Sequence, residues 1–388
     1  MPNDVTNVMP KILARALLSL RQRVIMPRIV NNDYALEARQ KGDVINIPIP
    51  AALVASDVTP APTPPTPASS APGNVQITLA NWKFANFNLT DKELVQVDAN
   101  DVYIPMQMGE AIKALANAVN VSVMAEYKGI YGYAGVPGTT PFVAGTLAEI
   151  ATVRRVLNQQ LCPKQDRRVV LDHISEANAI QAAPFRDASQ SNDARVIMEG
   201  EIGHKIGMDW FADDHTPTHT STVFSAGAAT VNGAHSVGVS TVSIAKATGS
   251  TALVKGDILT LGTDPQTYVV TADVTLAVGN TNVGISPALV LSKAGGETVV
   301  NKTAPSSTNT SVQNLIFHRD AFAFASRPLL DVTSGLELGN RILSMPDPVS
   351  GIVLRLEVSR QFKQVVWELD ILWGTKLVRP ELACRLTA

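Results

Sequence analysis

The sequence predicts a mixed α+β fold that carries an inserted all-β domain, and three observations support this prediction. Apolar residues recur at helical spacing over a long stretch between Pro105 and Tyr127. Alternating apolar and polar residues indicate extended strands before this helix and again near the C-terminus. Between them, residues 216–312 hold eight charged residues and no arginine, and short strand-like runs follow one another closely. We expect these runs to form a barrel or a sandwich inserted into a discontinuous α/β domain.

Composition limits the possible functions. The 388 residues suit two or three domains, and a net charge of −2 gives no strong attraction to nucleic acid or membranes. The only two cysteines, Cys162 and Cys384, lie far apart, which excludes a disulfide framework and a zinc motif. The N-terminal apolar run is interrupted by Arg15 and lacks a small-residue cleavage site, so we expect no signal peptide.

The N-terminal segment is predicted to be an amphipathic helix with a basic surface. Its apolar residues share one arc of a helical wheel: Ile12, Leu13, Ala16, Leu17, Leu20 and Val24. Residues 5–32 contain no acidic residue and five basic ones: Lys11, Arg15, Arg21, Arg23 and Arg28. Three interpretations remain open. The segment is a solvated helix packed on its own domain, an arm that docks on a neighbour or a partner, or a membrane or calmodulin-target helix.

A proline-rich stretch separates two strand-like runs. "DVINIPIP" alternates isoleucine with asparagine and proline, and "NVQITLANWKFANFNLT" continues the strand pattern after the stretch. Between them, "TPAPTPPTPASSAPGN" holds six prolines in sixteen residues and no charge, which favours extended polyproline-like backbone. We interpret it as the tip of a long two-stranded hairpin rather than as a linker. Such a hairpin is marginal alone and needs another surface to lie against.

The rest of the chain outside the β-rich stretch reads as α/β. Thr146 and Glu149 have capping-box spacing before a helix, and residues 167–172 form a short strand. "NLIFHRDAFAFASRPL" reads as a strand entering a helix, and "GIVLRLEVSRQ" is a long strand. A second long strand places a set of apolar residues on one face: Val365, Trp367, Leu369, Ile371 and Trp373.

Motifs for catalysis are weak. His215 and His219 have His-x-x-x-His spacing near His204 and two aspartates, as some metal sites do. Pro217 lies between them and blocks the helix that would present both side chains together. We therefore favour a polar loop and predict no enzyme, no metal and no cofactor. A metal-dependent hydrolase using His215 and His219 is the alternative.

The order of the elements resembles the major capsid (coat) proteins of tailed bacteriophages, which have the Hong Kong 97-type fold. The matching parts are an N-terminal arm (1–35), an extended loop (36–90, tip 51–74) and a peripheral domain (91–145) with a spine helix at about 105–127. An axial domain begins at 146–215, and return strands of the axial and peripheral domains follow at 313–388. The inserted domain (216–312), with "LVKGDILTLG" and "TYVV", and the run "WGTKLVRPE" resemble the P twenty-two-type coat proteins.

The resemblance implies a structural function in the virion. Copies of the chain would assemble in the host bacterial cytoplasm, as pentamers and hexamers, into an icosahedral shell around double-stranded DNA. Implied partners are a scaffolding protein, a portal and a decoration protein, with no membrane. Residues 50–74 contain no lysine, so we expect a shell without covalent cross-links. An encapsulin-type compartment and, less favoured, a secreted β-rich adhesin remain alternatives. The candidate interface residues are Lys11, Arg15, Arg21, Arg23, Arg28, Pro60, Pro62, Pro64, Pro65, Pro67, Trp82 and Phe84.

Overall fold

The computed structural model describes residues 8–33, 44–50, 55, 57–58, 60, 72–92, 106–187, 200, 202–224, 229–305, 309–329 and 340–388. The chain divides into two compact units. Unit 1 comprises Met1–Leu17, Asn32–Leu115 and Ala323–Val378. Unit 2 comprises Leu18–Asn31, Ala116–Phe322 and Arg379–Ala388. Each unit is assembled from segments that are far apart in sequence.

The named α-helices within the described residues are mostly short. They are α1 (Val8–Arg23), α2 (Met26–Ile29), α3 (Met106–Met124), α4 (Ala148–Gln159), α5 (His173–Ile180) and α6 (Ala183–Arg186). The whole apolar arc that the sequence predicts is buried, in α1 and at Val24 just after it, whereas Leu18, outside that arc, is 53% exposed. The predicted spine helix corresponds to α3, and a 3-10 segment, Ala125–Gly129, continues from its end.

Strands dominate the described part of the chain. They are β1 (Val44–Ile49), β2 (Gly73–Thr78), β3 (Asn81–Thr90), β4 (Gly132–Gly135), β5 (Arg167–Leu171), β6 (His204–Lys205), β7 (Met208–Ala212), β8 (Thr218–Ser221), β9 (Ala229–Val231), β10 (Thr241–Lys246), β11 (Thr251–Leu253), β12 (Ile258–Leu261), β13 (Tyr268–Val270), β14 (Val274–Leu276), β15 (Gly279–Ser286), β16 (Thr298–Asn301), β17 (Asn309–His318), β18 (Phe322–Ser326), β19 (Arg341–Pro346), β20 (Val353–Gln361), β21 (Gln364–Leu377) and β22 (Ala383–Thr387).

Unit 1 is built on a five-stranded sheet centred on β21. Strand β21 pairs antiparallel with β20 and with β3, and β19 follows β20 at one edge. The predicted apolar face of β21 is buried from Val365 to Trp373. The indole of Trp367 stacks against Phe87 of β3 with ring centroids 6.4 Å apart. Burial of one face explains the alternation in β20 and in the first half of β21, whereas both faces of β21 are buried from Leu369 to Trp373.

Unit 2 contains a seven-stranded mixed sheet. Its strand order is β4-β22-β17-β5-β7-β6, and β8 pairs with the other part of β17. The last strand of the chain, β22, therefore lies inside the sheet between β4, to which it is parallel, and β17, to which it is antiparallel. The sheet is complete only when the C-terminal residues are in place.

A closed six-stranded barrel is inserted into this sheet. Its strand order is β10-β15-β13-β12-β16-β9, and β11 and β14 form a separate pair. The strands that precede and follow it, β8 and β17, are antiparallel neighbours with Ser221 opposite Asn309. The chain thus leaves and re-enters the sheet at adjacent positions. The prediction of an inserted barrel-like module is confirmed.

Two local predictions are wrong. The segment after β17 forms a 3-10 turn and the strand β18 instead of a helix. All of β18 is buried. Phenylalanine and alanine alternate along it, with Phe322 and Phe324 on one face and Ala323 and Ala325 on the other, and both faces are covered. Leu147, and not Thr146, precedes α4 as its N-cap residue, and it makes no capping hydrogen bond through its side chain. The hydroxyl of Thr146 donates to the Val143 carbonyl instead.

Candidate assembly interface

The base of the predicted hairpin is a two-stranded antiparallel ribbon. Strand β1 pairs with β2 from Val44 opposite Thr78 to Ile49 opposite Gly73. One side of the ribbon is buried in an apolar cluster with β18 and β21: Ile45, Ile47, Ile77, Leu79, Ala323, Ala325, Leu372 and Val378. This cluster supplies the surface that an isolated ribbon lacks. The ribbon is therefore anchored at its base to its own unit.

The opposite side of the ribbon is polar but uncharged. The Asn46 Oδ1 accepts hydrogen bonds from Asn74 Nδ2 at 3.2 Å and from Gln76 Nε2 at 3.1 Å. Pro48 is exposed beside them and offers no backbone donor. Among the tip prolines, Pro60 is described and exposed, whereas Pro62, Pro64, Pro65 and Pro67 lie outside the described residues.

Strand β3 presents two aromatic side chains to solvent. Trp82 is 47% exposed and Phe84 is 62% exposed. The Trp82 Nε1 donates to Asp370 Oδ2 at 3.1 Å, which fixes the indole against β21. Among the described strands, β3 pairs with β21, and no other described strand pairs with it. Open edges with large exposed aromatic side chains are characteristic of surfaces that another chain covers.

The basic N-terminal residues are only partly described. Lys11, Arg15, Arg21 and Arg23 belong to α1, but their side chains lie outside the described part of the structure. Arg28 is the basic residue of α2 and is exposed. Their role as interface residues stays a prediction.

The two histidines of the alternative enzyme hypothesis bind different partners. His215 Nδ1 lies 2.9 Å from Asp213 Oδ1, whose carboxylate also accepts the His215 backbone N–H. His219 is buried and contacts Tyr127 and Asp257. Within the described residues, no group of three or more His, Cys, Asp or Glu is arranged to hold a metal ion. Burial raises the pKa of both cysteine thiols, that of Cys384 to about 12.

The structure reveals a buried polar centre where the barrel meets the sheet of unit 2. His219 Nδ1 lies 3.0 Å from the Tyr127 hydroxyl, and its Nε2 lies 2.9 Å from Asp257 Oδ1. Arg385 on β22 is fully buried, and its Nη2 donates to the Gly256 carbonyl at 2.8 Å. Its guanidinium also lies 5.7 Å from the Tyr127 ring centroid. We call Tyr127, His219, Asp257 and Arg385 the junction cluster.

Burial and charge alter the acid–base properties of this cluster. Burial lowers the pKa of Arg385 to about 10, although nearby Tyr133, Tyr127 and Asp257 favour its charged form. Burial also raises the pKa of Tyr127, against the opposing effect of Arg385. The guanidinium therefore remains charged at neutral pH inside the protein interior, and the negative charge of Asp257 is one of the influences that favour this charged form.

Sequence reasoning missed this cluster because its members come from four distant segments. The spacing of His219 relates it to His215, and no sequence pattern connects it with Asp257 or Arg385. The available signal was an arginine in the otherwise apolar run "LACRLTA" at the C-terminus. Apolar packing continues the junction, since Tyr131 and Tyr133 of the sheet side form a core cluster with Ile258 and Val269 of the barrel.

A second buried network stabilises the barrel itself. Lys293 Nζ lies 3.0 Å from Asp264 Oδ2, and the Tyr268 hydroxyl donates to the same carboxylate at 2.8 Å. Burial alone would raise the pKa of Asp264, but the Gln266 backbone N–H, Lys293 and Tyr268 lower it. Burial, reinforced by Asp264, raises the pKa of Tyr268 to about 12. The carboxylate is thus held in its charged form.

Comparisons with known proteins place this architecture among phage structures. No family model and no curated protein sequence matches the chain. A structure of Mycobacterium phage Che8 matches with a TM-score of 0.50 and 14% identity, covering 94% of this chain and 90% of that chain. The capsid structure of cyanophage P-SCSP1u covers 94% of this chain and 87% of that chain, with a TM-score of 0.49 and 14% identity.

A virus-like particle from Pyrococcus furiosus covers 96% of each chain at 7% identity, with a TM-score of 0.41. No helix among the described residues is long and apolar enough to span a bilayer. The likeness to the Che8 structure extends over nearly the whole chain and includes both units. The chain therefore has the predicted fold, the Hong Kong 97-type capsid fold with an inserted six-stranded barrel.

Proposed function

We propose that the chain is the major capsid protein of a tailed phage and that its copies assemble into an icosahedral shell around double-stranded DNA. The observation that carries this proposal is the fold, shared with the Che8 phage structure over 94% of this chain and 90% of that one. A fold alone does not define a function. Here the fold is combined with an extended part, the β1–β2 ribbon, which would gain stability by lying on a neighbouring copy.

The anchored ribbon supports the proposal physically. Its base is fixed by the apolar cluster around Ile47 and Ile77, and its other side carries amides and prolines without charge. A neutral polar ribbon can lie on a neighbouring subunit with little cost of charge desolvation. Repeated contacts of this heterologous kind close into a shell when the rotations between subunits close.

The finer predictions belong to this proposal. The shell would be structural and without catalysis. Its further partners would be a scaffolding protein, a portal, packaged DNA and a decoration protein, and its location the virion, after assembly in the host cytoplasm. We further propose that the inserted barrel corresponds to the insertion domain of the P twenty-two-type coat proteins. Lys41 and Lys83 flank the hairpin rather than occupying its tip, so the shell would lack covalent cross-links between subunits.

Deletion of residues 59–72 tests the role of the hairpin. We expect the shortened chain to fold, because the paired residues of β1 and β2 remain, but to assemble poorly into shells. Circular dichroism and thermal melting would report folding, and sedimentation velocity with electron microscopy would report assembly. A matched control replaces the same segment with an equally long Gly/Ser sequence. Normal shells from the deletion would contradict the proposed role of the hairpin.

A further inference from the structure

The buried network of the inserted barrel brings one amine and two carboxylates together. Lys293 Nζ lies 3.0 Å from Asp264 Oδ2 and 3.7 Å from Glu297 Oε2. The side chains of Lys293 and Asp264 are 4% and 2% exposed, whereas that of Glu297 is 28% exposed. An amine held against a carboxylate and shielded from water, with a second carboxylate beside it, has the parts needed for condensation into an amide.

Local hydrogen bonds hold the amine and the carboxylate in place. The backbone of Lys293 exchanges two hydrogen bonds with that of His235, each 2.9 Å long, and its Nζ also donates to the Leu261 carbonyl at 3.2 Å. Asp264 Oδ1 accepts the Gln266 backbone N–H at 2.9 Å. The Asp264 Cγ is the next atom beyond the oxygen that the amine contacts. The two reacting atoms are therefore held close together before any reaction, which favours bond formation strongly.

Both oxygens of the Asp264 carboxylate accept hydrogen bonds from fixed donors. The Gln266 N–H donates to Oδ1, and the Tyr268 hydroxyl donates to Oδ2 at 2.8 Å. Tyr268 is fully buried in the apolar core of the barrel, so its hydroxyl is held rigidly. Attack on the Asp264 Cγ would place negative charge on these same oxygens. Donors that are already in position stabilise such a charge.

Glu297 is placed to move protons between the reacting groups. Its Oε1 accepts the Ala294 backbone N–H at 2.9 Å. A Cβ at Gly262 would overlap Glu297 Oε2, so the carboxylate occupies space that only glycine leaves free at that position. Oε2 is the oxygen that faces Lys293 Nζ. A positioned carboxylate with partial access to solvent can act as a general base and then as a general acid.

We propose that Lys293 and Asp264 react to form an isopeptide bond within the barrel, with Glu297 as the proton carrier. Glu297 takes a proton from the Lys293 ammonium, and the free amine attacks the Asp264 Cγ. Asp264 Oδ2 receives this proton back from Glu297 and a second proton from the attacking nitrogen, and it leaves as water. The C–N bond forms, the Cγ–Oδ2 bond breaks, and Glu297 returns to its charged form. The condensation needs no oxidant and no co-reactant.

The bond would replace two buried charges with one neutral amide. Holding an ion pair in the protein interior is costly, so its conversion to an amide relieves that cost. The bond would also tie the segment between β12 and β13 to the segment between β15 and β16, which restricts the unfolded chain as other cross-links do. The acid-dependent stability of the ion pair belongs to the chain that has not yet reacted. Because the bond lies within one copy, it is independent of shell formation.

Mass spectrometry of the purified full-length chain tests the bond directly. The linked chain should be lighter than its sequence by the mass of one water molecule, and trypsin should no longer cleave after Lys293. Digestion with trypsin and chymotrypsin should release a branched peptide that joins residues around Asp264 to residues around Lys293. A wild-type chain that keeps its full mass after long incubation at neutral pH, and yields the two peptides separately, would overturn the proposal. Lys293 and Asp264 would then form an ion pair only.

Three variants assign the roles of the residues. Glu297→Gln keeps the size of the side chain but cannot carry the proton, so the linked fraction should form about 100-fold more slowly. Lys293→Met should keep the full mass, whereas Lys302→Met, at an exposed lysine of the same barrel, is the matched control and should lose water like the wild type. Circular dichroism checks that each variant folds. Water loss in Lys293→Met, or an equal rate in Glu297→Gln and the wild type, would contradict the proposed reaction.

Discussion

Replacing Asp257 by Asn should destabilise unit 2 much more than replacing Arg385 by Met. The Asp257 carboxylate accepts the Val254 N–H at 2.9 Å and the Thr303 hydroxyl at 3.2 Å, and it lies 2.9 Å from His219 Nε2. Asparagine weakens these contacts and removes one of the charges that favour the charged form of the buried Arg385. Leaving a buried polar group without its partner costs about 1–3 kcal/mol, and several contacts are weakened together, so we expect a loss of about 3 kcal/mol.

We expect Arg385→Met to lower the free energy of unfolding much less, because it removes a buried charge that is itself costly to hold. Lowering the pKa from 12.5 to about 10 means that the folded protein holds this charge at a cost of roughly 3 kcal/mol at neutral pH. Methionine relieves that cost but loses the hydrogen bond to the Gly256 carbonyl and the contact with the Tyr127 ring, worth about 2–3 kcal/mol together. The net change should lie within about 1 kcal/mol of zero.

Urea unfolding of unassembled protein, followed by circular dichroism, gives the two free-energy changes. Hydrogen exchange of peptides that cover residues 254–260 and 383–388 shows whether the loss is local to the junction cluster. The double variant should be more stable than Asp257→Asn alone, because the uncompensated charge is gone. A larger loss for Arg385→Met than for Asp257→Asn would refute this account of the junction.

Three further predictions concern packing, backbone and pH. Trp367→Ala should cost about 3–5 kcal/mol in urea unfolding, since its indole is buried on the core face of β21. Gly256→Ala should lower the melting temperature, because φ is +103° and a Cβ would lie 3.2 Å from His219 Cε1; an unchanged melting temperature would contradict this geometry. The folded pKa of Asp264 is lowered, so its stabilising effect is present at neutral pH and lost as pH falls below about 4. Thermal melts from pH 3 to 7 should show a weaker acid dependence in Lys293→Met, and an unchanged dependence would contradict the role of this network.

Local patterns predicted much of the fold. The alternation in β20 and β21 follows from one buried face, and the helical arc of α1 follows from its burial. The position of the inserted domain was readable because residues 216–312 lack arginine and change to short β-rich runs. The order of elements then carried the resemblance to phage capsid proteins.

Features that depend on distant pairing could not be predicted from the sequence. Closure of the barrel requires β9 to pair with both β10 and β16, which are separated by more than fifty residues. The entry of β22 into the middle of the unit 2 sheet leaves no local signal either. The junction cluster has the same origin, since it arises from strands and loops that meet only after folding. The segment of β18 was predicted as a helix because a short run of Phe and Ala fits either a helix or a strand. Only the structure shows that both of its faces are covered, as in a buried strand.

Electron microscopy of the purified chain tests the central claim most directly. We expect closed, uniform icosahedral shells several tens of nanometres across, in which image reconstruction places the β1–β2 ribbon of each subunit on a neighbour. A monodisperse monomer under all assembly conditions, including those with a scaffolding partner, would contradict the proposal that the chain is a capsid subunit.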